Sequence, residues 1–480
     1  MRVLMAASEA APLVKTGGLG DVLGALPRVL AAHGVDVALV LPAYRAIDRA
    51  KFPLRPAGWS VSVPVSSRTV TAEVLTTDLP GGVPVYLPRA DPYFDRDGLY
   101  GPDGDGFPDN AERFAFFARA VLAIAEHLGA PDVLHCHDWQ VAPAPAFVRA
   151  DAARYRSLAS TKTLLTIHNL AYQGRFWKHD WHLLNLDWRY FNFLQFEFYD
   201  DINYLKAGIV FADALTTVSR GYAREIQTPE YGWGLDGVLR GRRDALTGIL
   251  NGVDYNEWNP EHDPHLAAHY TAADFTGKAR CKAALQRAFG LPANGKTPLL
   301  GIVSRLAAQK GFDLLAAALP QLLAERDVQL VVLGIGDAKY QQQLAGLATQ
   351  FTPRVGVAFK FDDALAHQIE AGADVFLMPS RYEPCGLNQI YSLKYGTIPV
   401  VHATGGLDDT ISNFDGRAGN GFKFHEYTAA ALLDCITRAL AYYRQPATWR
   451  QLRRNAMAAD FSWERSAEQY LELYRRLVSP

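Results

Sequence analysis

The chain has 480 residues, of which 49% are hydrophobic and 20% are charged, with a mean hydropathy near zero and a formal net charge of −2. This composition is that of a globular protein long enough to build more than one hydrophobic core. It contains no basic stripe and no run of Lys and Arg, which argues against nucleic acid and a membrane surface as partners.

The cysteines fit a reducing compartment, and the N-terminus does not have the pattern of a signal peptide. The four cysteines are far apart and none forms a Cys-x-x-Cys pair: Cys136, Cys281, Cys385 and Cys435. A disulfide scaffold or a zinc ribbon is therefore not expected. The apolar run at the N-terminus is too short for a signal peptide, and no run approaches the roughly 20 apolar residues of a membrane span. We expect a soluble, cytoplasmic protein.

The first half of the chain has the pattern of a parallel sheet. Residues 3–7 are strand-like, residues 15–21 form a Gly-rich loop, residues 22–32 have the spacing of an amphipathic helix, and residues 35–41 form the next strand. A strand, a helix and a strand in this order are the first unit of a parallel sheet. Residues 59–90 alternate between apolar and polar, which predicts antiparallel strands there. A long helix is expected at 111–128, and more buried strands at 133–137, 163–168 and 214–219.

Residues 172–204 are rich in aromatic side chains, among them Trp177, Trp188, Phe193 and Tyr199. Two interpretations stay open for this segment. Either the rings pack into a cap of helices, or some of them form a surface on which sugars stack.

The second half repeats the rhythm of strands and helices. A strand at 245–250 is followed by a polar, Pro-containing linker at 255–277 and a helix at 278–289. Strands at intervals that suit intervening helices are expected at 299–304, 328–333, 356–361, 375–378 and 398–401. The sequence therefore predicts an α/β fold with two doubly wound domains, residues 1–244 and 245–460. Residues 461–480 are expected to form a helix that packs back on the N-terminal domain.

Three turns of the second predicted domain carry charged or small residues at the ends of strands. Residues 379–389 place Glu383 where a buried strand turns into a helix, an edge that favours ligands and anions. Arg305 and Lys310 follow another strand and are spaced so that they can converge on one phosphate. Thr404, Gly405 and Gly406 form a small-residue turn after a third strand.

The first predicted domain offers its own strand-end residues. The loop that contains Lys15, Gly17, Gly18 and Asp21 lies between the first strand and the first helix, where glycines let backbone N–H groups approach an anion. Asp138 and the pair His168 and Asn169 follow two later strands. His135 and His137 share one strand face, but no third ligand stands near them in sequence, and a metal is not expected.

These motifs together resemble the bacterial glycogen synthase and plant starch synthase family, which are retaining glucosyltransferases of the GT-B architecture. The matching segments run in order over nearly the whole chain: KTGGLGDV at 15–22, HDW at 137–139, IHNLAYQG at 167–174, LNGVD at 250–254, SRL at 304–306, QKG at 309–311, PSRYEPCGL at 379–387 and TGGL at 404–407.

The resemblance implies two Rossmann-like domains with the active site in the cleft between them. It implies transfer of glucose from ADP-glucose to the non-reducing 4-OH end of an α-1,4-glucan, with retention at the anomeric carbon. The partners would be ADP-glucose or ADP and a glucan such as glycogen or a malto-oligosaccharide. No metal and no other cofactor is expected.

The resemblance also implies roles for individual residues. Arg305 and Lys310 match the basic pair on the distal phosphate, and Glu383 matches the essential acid near the donor sugar. His168 matches the residue that faces the sugar 6-OH, and Asp138 matches an acid in the acceptor half of the cleft. The implied substrate-binding residues are Lys15, Gly17, Gly18, Asp21, Asn169, Asn251, Cys385, Gly386, Leu387, Thr404, Gly405 and Gly406.

One position departs from the broader retaining pattern, because Tyr391 stands eight residues after Glu383, where a second Glu is often found.

Three questions stay open: the route to retention, the identity of the donor, and whether the protein is an enzyme or a binding module. Retention is compatible with a covalent carboxylate intermediate or, as we favour, with attack on the same face as the departing phosphate. The donor is ADP-glucose or, in a related enzyme, UDP-glucose. A glucan-binding module without catalysis is the third alternative, and it leaves the phosphate-facing residues unexplained.

Overall fold

The computed structural model describes residues 1–102 and 106–479. It divides into two compact units. The first unit contains Met1–Gly252 together with Trp463–Pro480, and the second contains Val253–Ser462. The sequence had placed the junction between residues 244 and 245.

The first unit is built on a large mixed sheet. Its strands are β1 (Arg2–Ala6), β2 (Asp36–Val40), β3 (Arg55–Val65), β4 (Arg68–Leu79), β5 (Val83–Arg89), β6 (Val133–His137), β7 (Lys162–Ile167), β8 (Arg175–Trp177), β9 (Glu197–Phe198), β10 (Asp201–Asn203), β11 (Ala214–Thr217) and β12 (Leu246–Gly248). The large sheet has the order β12-β11-β7-β6-β1-β2-β5-β4-β3, and β8, β10 and β9 form a small separate sheet.

The pairing in the large sheet follows from the burial of its strands. The strands from β12 to β5 pair in parallel, and those at its centre are almost entirely buried, as in β6. The strands β3 and β4 alternate between exposed and buried residues, and they pair antiparallel as predicted. The chain begins at the centre of the sheet and adds strands to both sides, so a topological switch point lies between β1 and β6.

The helices of the first unit are α1 (Gly18–Ala32), α2 (Asp91–Phe94), α3 (Asn110–His127), α4 (Pro143–Ala150), α5 (Tyr204–Phe211), α6 (Arg220–Glu225) and α7 (Asp236–Gly241). Short 3-10 turns lie at Arg156–Leu158, Lys178–Leu184, Trp188–Tyr190 and Arg243–Ala245. The apolar stripe of α1 explains its position, because Leu19, Val22, Leu23, Leu26 and Leu30 recur at helical spacing and all are buried.

The second unit is a parallel sheet with strands β13 (Leu299–Val303), β14 (Gln329–Leu333), β15 (Val355–Ala358), β16 (Val375–Met378), β17 (Ile398–His402) and β18 (Phe422–Phe424). Its order is β15-β14-β13-β16-β17-β18, the doubly wound order with a switch point between β13 and β16. Its helices are α8 (Thr276–Ala288), α9 (Phe312–Glu325), α10 (Ala338–Gln350), α11 (Asp363–Gly372), α12 (Asn388–Lys394), α13 (Gly405–Thr410), α14 (Ala429–Tyr443) and α15 (Pro446–Met457), and a 3-10 turn lies at Ala308–Lys310.

The last helix, α16 (Trp463–Val478), belongs to the first unit. Its buried face includes Tyr470, Leu473 and Tyr474. The Tyr474 hydroxyl lies 2.7 Å from Nδ1 of His135 in β6, and the Ser466 hydroxyl donates to the carbonyl of Leu250. Side chains of the last helix thus bond to His135 inside the first sheet and to the segment that follows β12.

Two predicted elements differ from the structure. The strand expected to open the second domain, at 245–250, is β12, which pairs in parallel with β11 at the edge of the first sheet. The aromatic segment is not a cap of helices, because it contains the antiparallel β8, β9 and β10 and two 3-10 turns. Its rings divide between a packed set (Trp181, Phe196, Phe198 and Tyr204) and an exposed set (Tyr172, Trp177, Trp188, Phe193 and Tyr199).

Among the residues that the structure describes, no helix is both long enough and apolar enough to cross a membrane.

Candidate active site

Two loops meet at the switch point of the second sheet, one after β13 and one after β16. The backbone N–H of Arg381 donates to the carbonyl of Gln309 over 2.8 Å, which joins the loops directly. Gly311 has a φ of 79°, and a Cβ there would lie 2.0 Å from the carbonyl oxygen of Pro379. A glycine is required at this position both by its backbone conformation and by the close approach of the two loops.

The loops bring Lys310 and Glu383 into an ion pair, with 2.6 Å between Nζ and Oε2. The same carboxylate oxygen accepts a hydrogen bond of 3.1 Å from the Ser380 hydroxyl. Only 8% of the Glu383 side chain and 21% of the Lys310 side chain are exposed. A buried carboxylate is tolerated when it is paired and hydrogen-bonded, as it is here, and the ammonium keeps further N–H donors for a ligand.

The two arginines of these loops have different surroundings. Arg305 is exposed, and none of the residues that the structure describes forms an ion pair with its guanidinium. Arg381 instead donates to Asp313 over 2.9 Å and lies over the ring of Tyr427, with 4.4 Å to the ring centroid. Arg305 is thus the arginine of this edge that is open to an anionic ligand.

The turn before α12 is held by its own side chains. Gly386 has a φ of 72°, and Gln389 donates from Nε2 to the carbonyls of Cys385 and Gly386. Asn388, the first residue of α12, donates to the carbonyl of Val303 at the end of β13. The segment Cys385, Gly386 and Leu387 therefore has a defined backbone beside the Lys310–Glu383 pair.

The turn Thr404, Gly405 and Gly406 packs against the same segment. The N–H of Gly406 donates to the carbonyl of Glu383 over 3.1 Å. A Cβ at Gly405 would lie 2.0 Å from that carbonyl oxygen, and a Cβ at Gly406 would lie 2.0 Å from the carbonyl oxygen of Cys385. Backbone packing thus explains both glycines, and substrate contact by this turn stays a prediction.

Tyr391 also has a structural reason. Its ring stacks on Trp258 with 3.8 Å between centroids and an interplanar angle of 4°. The other ring contacts of Trp258 include a stack on His367 at 3.7 Å. Tyr391 therefore packs against Trp258 at the position where the broader retaining pattern often has a second Glu.

In the first unit, the Gly-rich loop folds around a carboxylate that the sequence argument did not single out. Glu9, just after β1 and 3% exposed, accepts hydrogen bonds from the backbone N–H groups of Thr16 and Gly17 and from the Thr16 hydroxyl. Lys15 pairs with Asp21 over 2.7 Å. The anion that the N–H groups of Thr16 and Gly17 meet is therefore a side chain of the protein itself. A Cβ at Gly17 or at Gly18 would meet nothing within 4 Å, so the loop keeps open space beside its backbone.

Asp138 and His168 lie together at the ends of β6 and β7. The Asp138 carboxylate accepts a hydrogen bond of 2.7 Å from the backbone N–H of His168, and Asp138 has a φ of 58°. Burial raises the pKa of Asp138 to about 7, an effect that hydrogen bonds from the backbone of His168 and Asn169 oppose and the charge of Glu9 reinforces. Burial lowers the pKa of His168 to about 3, so its ring is neutral at pH 7.

His137 contacts His168 and was not among the predicted site residues. Its Nδ1 lies 3.0 Å from Nε2 of His168, and burial lowers its pKa well below the usual value. Two neutral rings that share one hydrogen bond fix which His168 nitrogen remains for a ligand. The sequence signal was present, since His137 follows His135 on one face of a strand that ends beside Asp138.

The two predicted asparagines have different roles in the structure. Asn169 accepts a hydrogen bond from the N–H of Ala171 and closes a turn after β7. Asn251 is 5% exposed, and its Oδ1 has no hydrogen-bond partner within the described part of the chain.

Glu9 and Ser380 were not among the predicted site residues. Each follows the carboxyl end of a parallel strand, and this position after a predicted strand is the sequence signal that could have identified them.

The structure also bears on metal binding at the predicted histidines. The ring nitrogens of His135 bond to the hydroxyls of Tyr474 and Thr166. The one group of three potential metal ligands found among the described residues lies elsewhere, at His265, Asp363 and His367 of the second unit. Transfer without a metal ion stays a prediction.

Comparisons with known proteins agree with this architecture. The family model described as the starch synthase catalytic domain matches residues 2–241, and the model described as glycosyl transferases group 1 matches residues 286–456. A starch synthase IV catalytic domain from Arabidopsis thaliana, bound to ADP and acarbose, superposes with a TM-score of 0.91 at 34% identity, covering 100% of this chain and 99% of that one. A sucrose-phosphate synthase from Thermosynechococcus elongatus shares the fold at 19% identity, with a TM-score of 0.61 over 99% and 98% of the two chains.

The fold is therefore that of a two-domain α/β glycosyltransferase of the GT-B architecture. A glycogen synthase from Anaeromyxobacter dehalogenans (strain 2CP-1 / ATCC BAA-258) is 53% identical over 100% of this chain and 99% of its own. The chain belongs to the glycogen synthase and starch synthase family.

Proposed function

We propose that the protein transfers glucose from ADP-glucose to the non-reducing 4-OH end of an α-1,4-glucan, with retention of the anomeric configuration. The observation that carries this proposal is the buried Lys310–Glu383 pair at the switch point of the second sheet. Such an edge binds ligands in open α/β sheets, and here it combines a cation for phosphate with a carboxylate for a sugar. The relatives named glycogen synthase and the neighbour bound to ADP and acarbose support the choice of substrates.

In the proposed reaction, the bond between glucose C1 and the distal phosphate oxygen breaks, and a bond from C1 to the acceptor O4 forms on the same face. The acceptor proton passes to the departing phosphate oxygen, so atoms and charge balance. Lys310 and Arg305 stabilise the negative charge that develops on the phosphate, which is the largest source of catalysis in many enzymes. Glu383 orients the sugar and stabilises positive charge at C1. No metal and no further cofactor takes part in this proposal.

Two residues of the first unit supply groups suited to sugar hydroxyls. A neutral His168 offers one donor and one acceptor, and an Asp138 with a pKa of about 7 is partly protonated near neutral pH. The proposal assigns His168 to the donor sugar, Asp138 to the acceptor and Lys15 to the nucleotide sugar. It also includes substrate contacts by Gly17, Gly18, Asp21, Asn169, Asn251, Cys385, Gly386, Leu387, Thr404, Gly405 and Gly406, and a cytoplasmic location.

The donor is tested by incubating the purified protein with glycogen and either ADP-glucose or UDP-glucose and measuring the nucleotide released. We expect release from ADP-glucose to be faster by tenfold or more. Proton NMR of the elongated malto-oligosaccharide reports the linkage and the anomeric configuration. Faster release from UDP-glucose would overturn the donor assignment. Glycogen binding without release of either nucleotide would overturn the enzymatic proposal in favour of a glucan-binding protein.

The route to retention is tested separately. Rapid quenching of the reaction with ADP-glucose, followed by mass spectrometry of the peptide that contains Glu383, detects a covalent glucosyl ester. We expect no adduct during turnover. An adduct that forms and decays at the rate of turnover would replace same-face attack by the two-step route.

A further inference from the structure

The second unit contains a cluster of potential metal ligands that is separate from the Lys310–Glu383 pair. His265, Asp363 and His367 each offer a ligand atom, and these three atoms lie within 4.8 Å of one another. We propose that this cluster binds one divalent transition-metal ion of the zinc class. Two imidazoles and one carboxylate are a donor set typical of zinc, with a water molecule as the fourth ligand.

The positions of the three residues follow from local structure. Asp363 begins α11 and His367 lies four residues later, so both side chains project from the same face of that helix. His265 comes from the segment before α8, and its ring centroid lies 4.9 Å from that of His367. A bound ion would thus join this segment to α11.

His367 is held as a metal-binding histidine is commonly held. Its Nδ1 lies 2.7 Å from Oδ2 of Asp263, and the same oxygen accepts a hydrogen bond from the Tyr395 hydroxyl. A carboxylate behind an imidazole fixes the tautomer and leaves the other nitrogen with a lone pair. The stacked ring of Trp258 restricts rotation of the imidazole.

The second ring nitrogen of His367 gives a separate reason to expect a bound ion. The residue is 1% exposed, and its Nε2 is buried without a hydrogen-bond partner among the residues that the structure describes. A buried polar atom with no partner is costly, and a metal ion would satisfy it. His265 and Asp363 are exposed, so their side chains are able to rotate toward the spacing of about 3.3 Å between ligand atoms that zinc bonds of 2.0–2.1 Å require.

The test uses the full chain without an affinity tag, first dialysed against a chelator and then titrated with ZnCl2 by calorimetry. The metal content after gel filtration gives the stoichiometry, and CoCl2 provides a visible absorption spectrum of the coordination. We expect one zinc ion per chain, and at least tenfold weaker binding in His265→Gln and in Asp363→Asn. His262→Gln is the matched control, because it removes an exposed histidine of the same segment that is outside the cluster.

His367 itself is left intact, since it is buried and pairs with Asp263. Thermal unfolding gives a second readout: zinc should raise the midpoint of the wild type and of His262→Gln, and not that of the His265→Gln/Asp363→Asn double variant. The proposal is overturned if the wild type shows no saturable zinc site. It is equally overturned if either single variant binds zinc as tightly as the wild type.

Discussion

At the scale of single residues, Glu383 is a largely buried carboxylate. One of its oxygens is paired with the Lys310 ammonium and accepts a hydrogen bond from the Ser380 hydroxyl. Removing one partner from such a group leaves the other buried and incompletely paired. We therefore expect the two side chains to act together in the reaction. In the proposed reaction, Lys310 is shared between Glu383 and the distal phosphate when the donor binds.

We predict that Glu383→Gln and Lys310→Gln each lower turnover by about 10²–10³, the typical effect of losing one electrostatic contact in a transition state. The double variant should lose little more than either single variant, because the two groups act on the same charge redistribution. Initial rates with ADP-glucose and glycogen measure this, and circular dichroism checks folding. Lys296→Gln, at an exposed lysine of the same unit, is the control. Near-wild-type rates in both single variants would contradict the assignment.

Asp138 leads to a prediction on pH. Its pKa in the folded protein is about 7, above the ordinary value of 3.8, so the folded state holds a proton that the unfolded state has already released at pH 5–6. The free energy of unfolding should therefore fall as pH rises from about 4 to 7, with a slope approaching 1.4 kcal/mol per pH unit from this group.

Denaturant unfolding of the wild type and of Asp138→Asn at pH 5 and pH 8 isolates that contribution. The wild type should lose more stability than the variant between the two values. An equal loss in the two proteins would mean that Asp138 titrates normally.

At the scale of elements, the site is built where loops touch, and glycines permit the contact. Gly311 allows the loop after β13 to approach Pro379, while Gly405 and Gly406 allow the turn after β17 to approach the backbone of Glu383 and Cys385. The positions of Lys310 and Glu383 thus depend on backbone packing between three separate turns.

We predict that Gly311→Ala destabilises the protein by about 2–5 kcal/mol, since a left-handed alanine costs about 1–2 kcal/mol and overpacking adds about 1–3 kcal/mol. Gly290→Ala is the matched control, because Gly290 also has a positive φ (67°) but open space around its Cβ position. Chemical denaturation of both variants measures the difference. Equal destabilisation would show that the contact with Pro379 contributes nothing.

The last helix leads to a second prediction at this scale. Tyr474→Phe removes the hydroxyl that bonds to the buried His135 and should cost about 1–2 kcal/mol. Amide hydrogen exchange in β6 and α16 reports the loss locally. Tyr199→Phe, at a tyrosine that is 76% exposed, should leave exchange unchanged. Unaltered protection in Tyr474→Phe would show that the bond does not contribute to holding the helix.

At the scale of the whole molecule, the proposed reaction uses residues of both units. If both units bind one donor molecule, binding should lower the radius of gyration. Small-angle scattering with and without ADP-glucose measures this change, and Lys310→Gln at the same donor concentration is the control. A scattering curve that ADP-glucose leaves unchanged would contradict the expected decrease in the radius of gyration.

Much of this protein was legible in its sequence. The alternation of buried strands and amphipathic helices predicts two doubly wound sheets, because local periodicity is set by which face is buried. The place after parallel strands identifies three candidate site residues, Arg305, Lys310 and Glu383, because the carboxyl ends of such strands share one edge of the sheet. Their roles stay predictions. The resemblance of the motifs to one family was confirmed by the family models and relatives.

Only the tertiary structure decided what depends on contacts between distant segments. It assigned β12 to the first sheet, made Glu9 the anion inside the Gly-rich loop and turned Arg381 toward Asp313. It also placed His265 beside α11, across about a hundred residues of chain. Strand partners and side-chain pairs of this kind are set by packing and burial, which no local pattern of residues encodes.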